Sequence, residues 1–184
     1  LFSSLAANGL ITPGDRISMA VPIFSPYLEI PALPAFGLEP VLLQMDEAAD
    51  WRIPDSELDK LLDPAVKVFC IVNPSNPPSS QQPQAVLDRL AGMVAKERPD
   101  LIIITDDVYG TFADNFVSVF AACPRNTLCV YSFSKYFGAT GWRLGTIAVH
   151  RDNVVDALLR ELPPEQKQLR GIISLLTYGY PYFI

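Results

Sequence analysis

The amino-acid sequence predicts an α/β domain built on a mostly parallel, mixed sheet with helices on both faces. Three observations carry that prediction. Apolar runs such as residues 66–72 and 101–105 have the length and composition of strands buried on both sides. Residues 83–97 form an amphipathic helical pattern, with Val86, Leu87, Leu90, Met93 and Val94 recurring at three and four residues. Runs of the two kinds alternate along the chain, which is the order of a parallel sheet with crossover helices.

The elements follow in order. Thr12-Pro13-Gly14-Asp15 reads as a turn and 16–20 as a strand. Residues 22–26 open a segment that Pro31 and Pro34 keep from being one clean helix. A strand over 39–45 precedes a short helix that starts at Pro54-Asp55-Ser56, with Asp55 as its N-cap, Leu58, Leu61 and Leu62 on one apolar face, and Pro64 as its stop. The strand over 66–72 runs into the turn Asn73-Pro74-Ser75-Asn76-Pro77-Pro78. After the 83–97 helix come strands over 101–105, 127–133 and 144–150, then a helix over 153–162 that Pro163-Pro164 ends.

Composition narrows the function. A net charge of −6 offers no basic face for a phosphate backbone, which argues against nucleic acid and for a small-molecule ligand. Cys70, Cys123 and Cys129 are odd in number and lack metal spacing, so they read as reduced core thiols of a cytoplasmic protein. With His150 as the single histidine, a zinc site or a serine triad would lack its usual imidazole, and no metal is expected. No run approaches the roughly 18 apolar residues of a membrane helix, which predicts a soluble chain. The first residues, 1–14, and the last, 171–184, are uncharged and apolar, and both ends read as the interior of something longer.

In an open α/β sheet ligands bind beyond the carboxyl ends of the strands. Three of those ends are unusually polar: Asn73, Asp106-Asp107-Val108-Tyr109, and Ser132-Phe133-Ser134-Lys135. A lysine where an apolar strand gives way to small hydroxyl residues should be partly desolvated, which makes its amine a nucleophile towards carbonyls. Ser132, Ser134, Gly138, Gly141 and Arg143 gather around Lys135 the hydroxyls, permissive backbone and guanidinium fork that hold a phosphate. A phosphate cup beside an imine-forming lysine points to pyridoxal 5'-phosphate. Asp106 then fits the ring's pyridinium N–H, because a buried carboxylate is costly unless paired. Asn73 and Tyr109 can both donate to the ring's phenolic oxygen.

Residues 132–145, Ser-Phe-Ser-Lys-Tyr-Phe-Gly-Ala-Thr-Gly-Trp-Arg-Leu-Gly, resemble the lysine-attachment signature of the class I aminotransferases of pyridoxal-phosphate fold type I. Asn73-Pro74 resembles that family's Asn-Pro turn, and Asp106-x-x-Tyr109 its pyridine-binding Asp followed by Tyr. Pro22-Ile23-Phe24 falls where the family carries the aromatic ring that stacks on the cofactor, which implies Phe24 for that role. Residues 54–60, 73–79 and 106–114 resemble more closely the branch of bifunctional aspartate 4-decarboxylase/aspartate aminotransferases. The likeness runs from about residue 10 to about residue 162 and fades after Pro164.

The resemblance implies that residues 1–162 are part of the fold type I large domain, that 163–184 are an atypical tail, and that the small C-terminal domain is absent. It also implies a catalytic lysine, Lys135, and cofactor contacts from Phe24, Asn73, Asp106, Tyr109, Ser132, Ser134 and Arg143. The implied reaction turns L-aspartate into L-alanine and carbon dioxide, with transamination to a 2-oxo acid as side activity, in a homodimer or higher homo-oligomer of the full-length protein. The family's carboxylate-binding arginine, its upstream small-residue loop and its partner-subunit tyrosine have no counterpart in these 184 residues, so the chain alone is expected to be inactive. An ordinary aminotransferase of another amino acid and a non-catalytic remnant or interaction module are the alternatives.

Overall fold

The structure is a computed structural model that describes residues 1–162. The tail expected over 163–184 lies outside the described residues. Among the described residues one sheet is built from β1 (Arg16–Val21), β2 (Glu39–Gln44), β3 (Val66–Val72), β4 (Ile102–Asp106), β5 (Thr127–Ser132) and β6 (Gly145–Val149), in the order β2-β1-β3-β4-β5-β6. The first five strands run parallel, and β6 returns antiparallel along β5.

Alternation along the central strands sends side chains into two cores. Phe69 and Ile71 of β3 and Ile103 of β4 pack with Val86, Leu87, Leu90, Met93 and Val94 of α4 (Gln84–Lys96), with Leu58 of α3 (Asp55–Leu58) and with Val119 of α5 (Val119–Ala122). Val68, Cys70 and Val72 of β3 and Ile102 and Ile104 of β4 face the other way, towards Phe2 and Leu5 of α1 (Phe2–Ala7) and Val154 of α6 (Val154–Glu161). Because both faces are covered, β3 and β4 read as unbroken apolar runs. The fold class is therefore the expected one: a mostly parallel mixed sheet, helices on both faces.

Turn chemistry sets several boundaries. The Thr12 to Asp15 turn closes with Asp15 N–H on the Thr12 carbonyl, while the Thr12 N–H and hydroxyl both donate to the Asp15 carboxylate. α2 (Pro26–Ala32) has Pro26 at its start, contains Pro31 and stops before Pro34. Asn153 caps α6, its Oδ1 accepting from Asp156 N–H at 2.9 Å.

Two expectations change. Pro54, extended at φ −63° and ψ 151°, is the N-cap of α3, and Asp55 is its first helical residue, with its carboxylate 3.6 Å from Arg89. After Leu58 the chain tightens into a 3₁₀ turn, Asp59–Leu62. At three residues per turn the apolar stripe of an α-helix is not maintained, so Leu61 stays fully buried while Leu62 turns outward.

Candidate active site at the carboxyl ends of the strands

Since β1 to β5 are parallel, their carboxyl ends share one edge of the sheet. The strand order reverses between β1 and β3, which is where open α/β sheets form their ligand crevice. The ladder extends past the ends of β3 and β4: Asn73 N–H donates to the Asp106 carbonyl at 3.0 Å, and Asp107 N–H to the Val130 carbonyl at 2.9 Å. The backbone of Asp106 is thus fixed from both sides.

Its side chain is half-buried and held by two donors. The Tyr27 hydroxyl donates to Oδ2 at 2.9 Å, and Val108 N–H to Oδ1 at 3.1 Å. Burial pushes the Asp106 carboxyl above its usual range and the adjacent Asp107 charge adds to this, while the two hydrogen bonds pull the other way. Burial, with Asp106 beside it, pushes the Tyr27 phenol far up as well, so it remains a donor. A carboxylate so placed is suited to a cationic N–H. Tyr27 sits in α2, beyond β1, and reaches across to the end of β4. Sequence reasoning missed it because nothing local links residues 27 and 106.

Asn73 is fully buried at the end of β3. Its Oδ1 accepts from Gln82 N–H at 2.9 Å, which fixes the amide orientation, and its Nδ2 has no partner among the described residues. Asn73 and the Tyr109 hydroxyl, both expected to serve the phenolic oxygen, are not bonded to each other. Asn76, half-buried three residues on, places Nδ2 3.4 Å from the Tyr109 hydroxyl instead. Asn76 and Tyr109 line a cleft of about 310 Å³ with Pro74, Ser75, Ser79 and Phe112. Asn-Pro occurs twice in this turn, and the second copy is the signal that points to Asn76.

The Lys135 turn joins β5 to β6. Ser134 N–H donates to Ser132 Oγ at 3.2 Å, the Thr140 hydroxyl to the Ser134 carbonyl at 3.1 Å, and Arg143 Nη1 to the Thr140 carbonyl at 3.2 Å. Arg143 adopts φ +53°. At Gly145 a Cβ would lie 2.9 Å from the Tyr131 carbonyl oxygen, so only glycine lets β6 approach β5 there. Ser132 and Ser134 are half-buried, whereas Lys135 and Arg143 are exposed. The expected partial desolvation of Lys135 is therefore not met in this chain. β5 is buried only over its first two residues, and β6 is mostly exposed. Phe24, just beyond β1, is 48% exposed at the same edge.

Elsewhere the thiols behave as packing groups. Burial pushes Cys123 and Cys129 up to about 12, and Cys70 is fully buried. No group of histidine, cysteine and carboxylate side chains able to hold a metal ion occurs among the described residues. No helix among them is long and apolar enough to cross a membrane.

A parallel sheet whose carboxyl edge carries a half-buried carboxylate, an oriented amide and a lysine turn is the architecture of an α/β cofactor-binding domain. The family model of class I and II aminotransferases matches residues 3–163, and the chain belongs to that family, which works with pyridoxal phosphate. Over 168 residues it is 56% identical to a bifunctional aspartate aminotransferase and L-aspartate beta-decarboxylase of a Pseudomonas species, covering 91% of this chain and 32% of that relative. It is 33% identical over 141 residues to an aspartate/prephenate aminotransferase of Nitrosomonas europaea, covering 73% of this chain and 35% of the relative. An aromatic aminotransferase from Pyrococcus horikoshii superposes with a TM-score of 0.70 at 28% identity, over 86% of this chain and 42% of its own. The aspartate aminotransferase of Thermus thermophilus with maleate shares the fold at a TM-score of 0.71 and 22% identity, over 97% of this chain and 47% of its own. The chain spans about a third of the length of these curated relatives.

Proposed function

We propose that residues 1–162 are part of the cofactor-binding large domain of an enzyme that converts L-aspartate to L-alanine and carbon dioxide and also transaminates aspartate with a 2-oxo acid. The choice of aspartate rests on the 56% identity to the Pseudomonas enzyme. The observation that carries the cofactor site is Asp106, a half-buried carboxylate under the Tyr27 hydroxyl at the switch-point edge. The donor set fits a phosphorylated pyridine: an acceptor for a cationic N–H at Asp106, and amide and hydroxyl donors of Asn76 and Tyr109 converging on one cleft.

When bound, pyridoxal phosphate supplies a carbonyl for the lysine amine and a protonated ring that accepts electrons. Lys135 would provide that amine and the base that moves the proton at the substrate's Cα. Asp106 would hold the proton on the ring nitrogen, and Tyr27 holds Asp106. Asn73, Asn76 and Tyr109 would donate to the phenolic oxygen, Phe24 would pack against the ring, and Ser132, Ser134 and Arg143 would bind the phosphate. A second copy of the full-length protein, as a homodimer or higher homo-oligomer, completes the site.

Two experiments test this reading. Borohydride treatment of the chain with pyridoxal phosphate is expected to fix the cofactor to the Lys135 peptide, and label on another peptide would sink the assignment. A form extended to the length of its relatives, given aspartate, cofactor and a trace of 2-oxo acid, is expected to release carbon dioxide and accumulate alanine. Glutamate without carbon dioxide, from aspartate and 2-oxoglutarate, would make it an ordinary aminotransferase.

A further inference from the structure

Gln82 is 6% exposed, and its backbone N–H and both side-chain polar atoms bond to two separate segments. Its N–H donates to Asn73 Oδ1 at 2.9 Å, its Oε1 accepts from Ile53 N–H at 2.9 Å, and its Nε2 donates to the Trp51 carbonyl at 2.9 Å. Two residues earlier, the Ser80 hydroxyl donates to the Asp50 carbonyl at 2.7 Å. Asp50 and Trp51, whose carbonyls are the acceptors, are consecutive non-glycine residues in the left-handed region, at φ +54° and +58°. A backbone held in that disfavoured conformation needs compensation from its surroundings. Here it aims two successive carbonyls at one loop.

That loop has a closed base. Ser75 N–H and Oγ both donate to the Ser80 carbonyl, at 2.8 and 2.9 Å, and Ser80 N–H donates back to Ser75 Oγ at 3.1 Å. Residues 76–79 form the tip, and Asn76 and Ser79 line the cleft beside Tyr109. Gln82 and Ser80 thus fasten the base to the turn at residues 50–53, while Asn76 projects from the tip.

We infer that Gln82 is a positioning residue: by tying the 73–82 loop to the 50–53 turn, it presents the Asn76 amide to the phenolic oxygen of bound pyridoxal phosphate. The inference rests on the proposed function for its ligand, and on the Gln82 and Ser80 bonds for its mechanics. A donor on the phenolic oxygen weakens that oxygen's hold on the neighbouring proton of the Lys135 nitrogen. Losing the donor moves the titration of the lysine-bound cofactor to higher pH.

The test uses Gln82→Met, which keeps volume but leaves the Ile53 N–H and the Trp51 carbonyl unpaired, and Ser80→Ala, a milder loss of the same tie. In the cofactor-free chain, hydrogen exchange at the Asn76 and Ser79 amides, the two non-proline positions of the tip, is expected to rise about tenfold in Gln82→Met, and by less in Ser80→Ala. In the loaded chain, the pH midpoint of the visible band is expected to rise by about one unit, a tenfold change in proton affinity. Folded variants with unchanged exchange would overturn the mechanical link. Faster exchange with an unmoved midpoint would overturn the link to the cofactor. Failure of the unsubstituted chain to trap cofactor on Lys135 would instead sink the proposed function, leaving exchange to decide the role of Gln82 in the loop.

Discussion

Asp106 and Tyr27 form the pair on which the proposed chemistry turns, and their interaction has a definite sign. Asp106→Asn removes the charge that holds a ring proton, and the full-length enzyme is expected to lose several orders of magnitude in rate. A loss below tenfold, about 1.4 kcal/mol of barrier, would make Asp106 a structural cap. Tyr27→Phe removes only one hydrogen bond to a charged group, worth roughly 1.5–3 kcal/mol, so the expected loss is about ten- to a hundredfold. The Tyr27 bond lowers the Asp106 carboxyl against the burial that raises it. Without the bond the carboxyl rises further, and the acid limb of the pH–rate profile moves to higher pH. An acid limb that stays in place in Tyr27→Phe would show that the phenol does not govern this ionisation. Sequence made Asp106 legible because it ends an apolar strand, whereas Tyr27 and Asn76 became visible only when folding placed them beside their partners.

At the scale of elements, the parallel strands carry both the fold and the acidic end of the site. Residues 66–72 were legible as a strand because burial on both faces removes polar alternation, and the 3.6-residue stripe announced α4. The short α1 and α5 were not legible, since helices of six and four residues carry too little period to distinguish from loop. Nor did the composition of residues 127–133 disclose that only the first part of β5 would be covered. At the end of β4, Asp107 accepts from the Thr105 hydroxyl of its own strand at 2.6 Å on Oδ1, and across the ladder the Cys129 thiol of β5 lies 3.3 Å from its Oδ2. Burial raises the Asp107 carboxyl above its ordinary 3.8. The native chain therefore keeps a proton that the unfolded chain has released, and stability falls as pH rises through that window. In Asp107→Asn this decline should shrink, leaving the part due to Asp106, as read from urea midpoints between pH 4 and 7. A decline as steep as in the unsubstituted chain would mean that Asp107 ionises at no cost.

Over the whole molecule, apolar exposure is uneven in a way that bears on assembly. The central strands β1, β3 and β4 are buried, but beyond β5 Tyr136, Phe137 and Trp142 are 55%, 60% and 79% exposed, and Leu144, Ile147 and Val149 continue the exposure into β6. Phe112 joins them through edge contact with Tyr136, at 5.4 Å between ring centroids, and Phe137 stacks at a tilt on Phe133. Such a concentration of aromatic and branched side chains on one edge is more than the scattered apolar exposure of an ordinary monomer surface and is suited to burial against further protein. The chain is therefore expected to associate at micromolar concentration, with a mass in sedimentation that rises with concentration and persists in high salt, because the attraction is apolar rather than ionic. Trp142→Lys with Val149→Lys places charge in the centre of that surface and should shift the population towards monomer without lowering the unfolding midpoint, since both side chains are solvated in the isolated fold. A monodisperse monomer across the concentration range, in the unsubstituted chain, would show that this edge needs no cover.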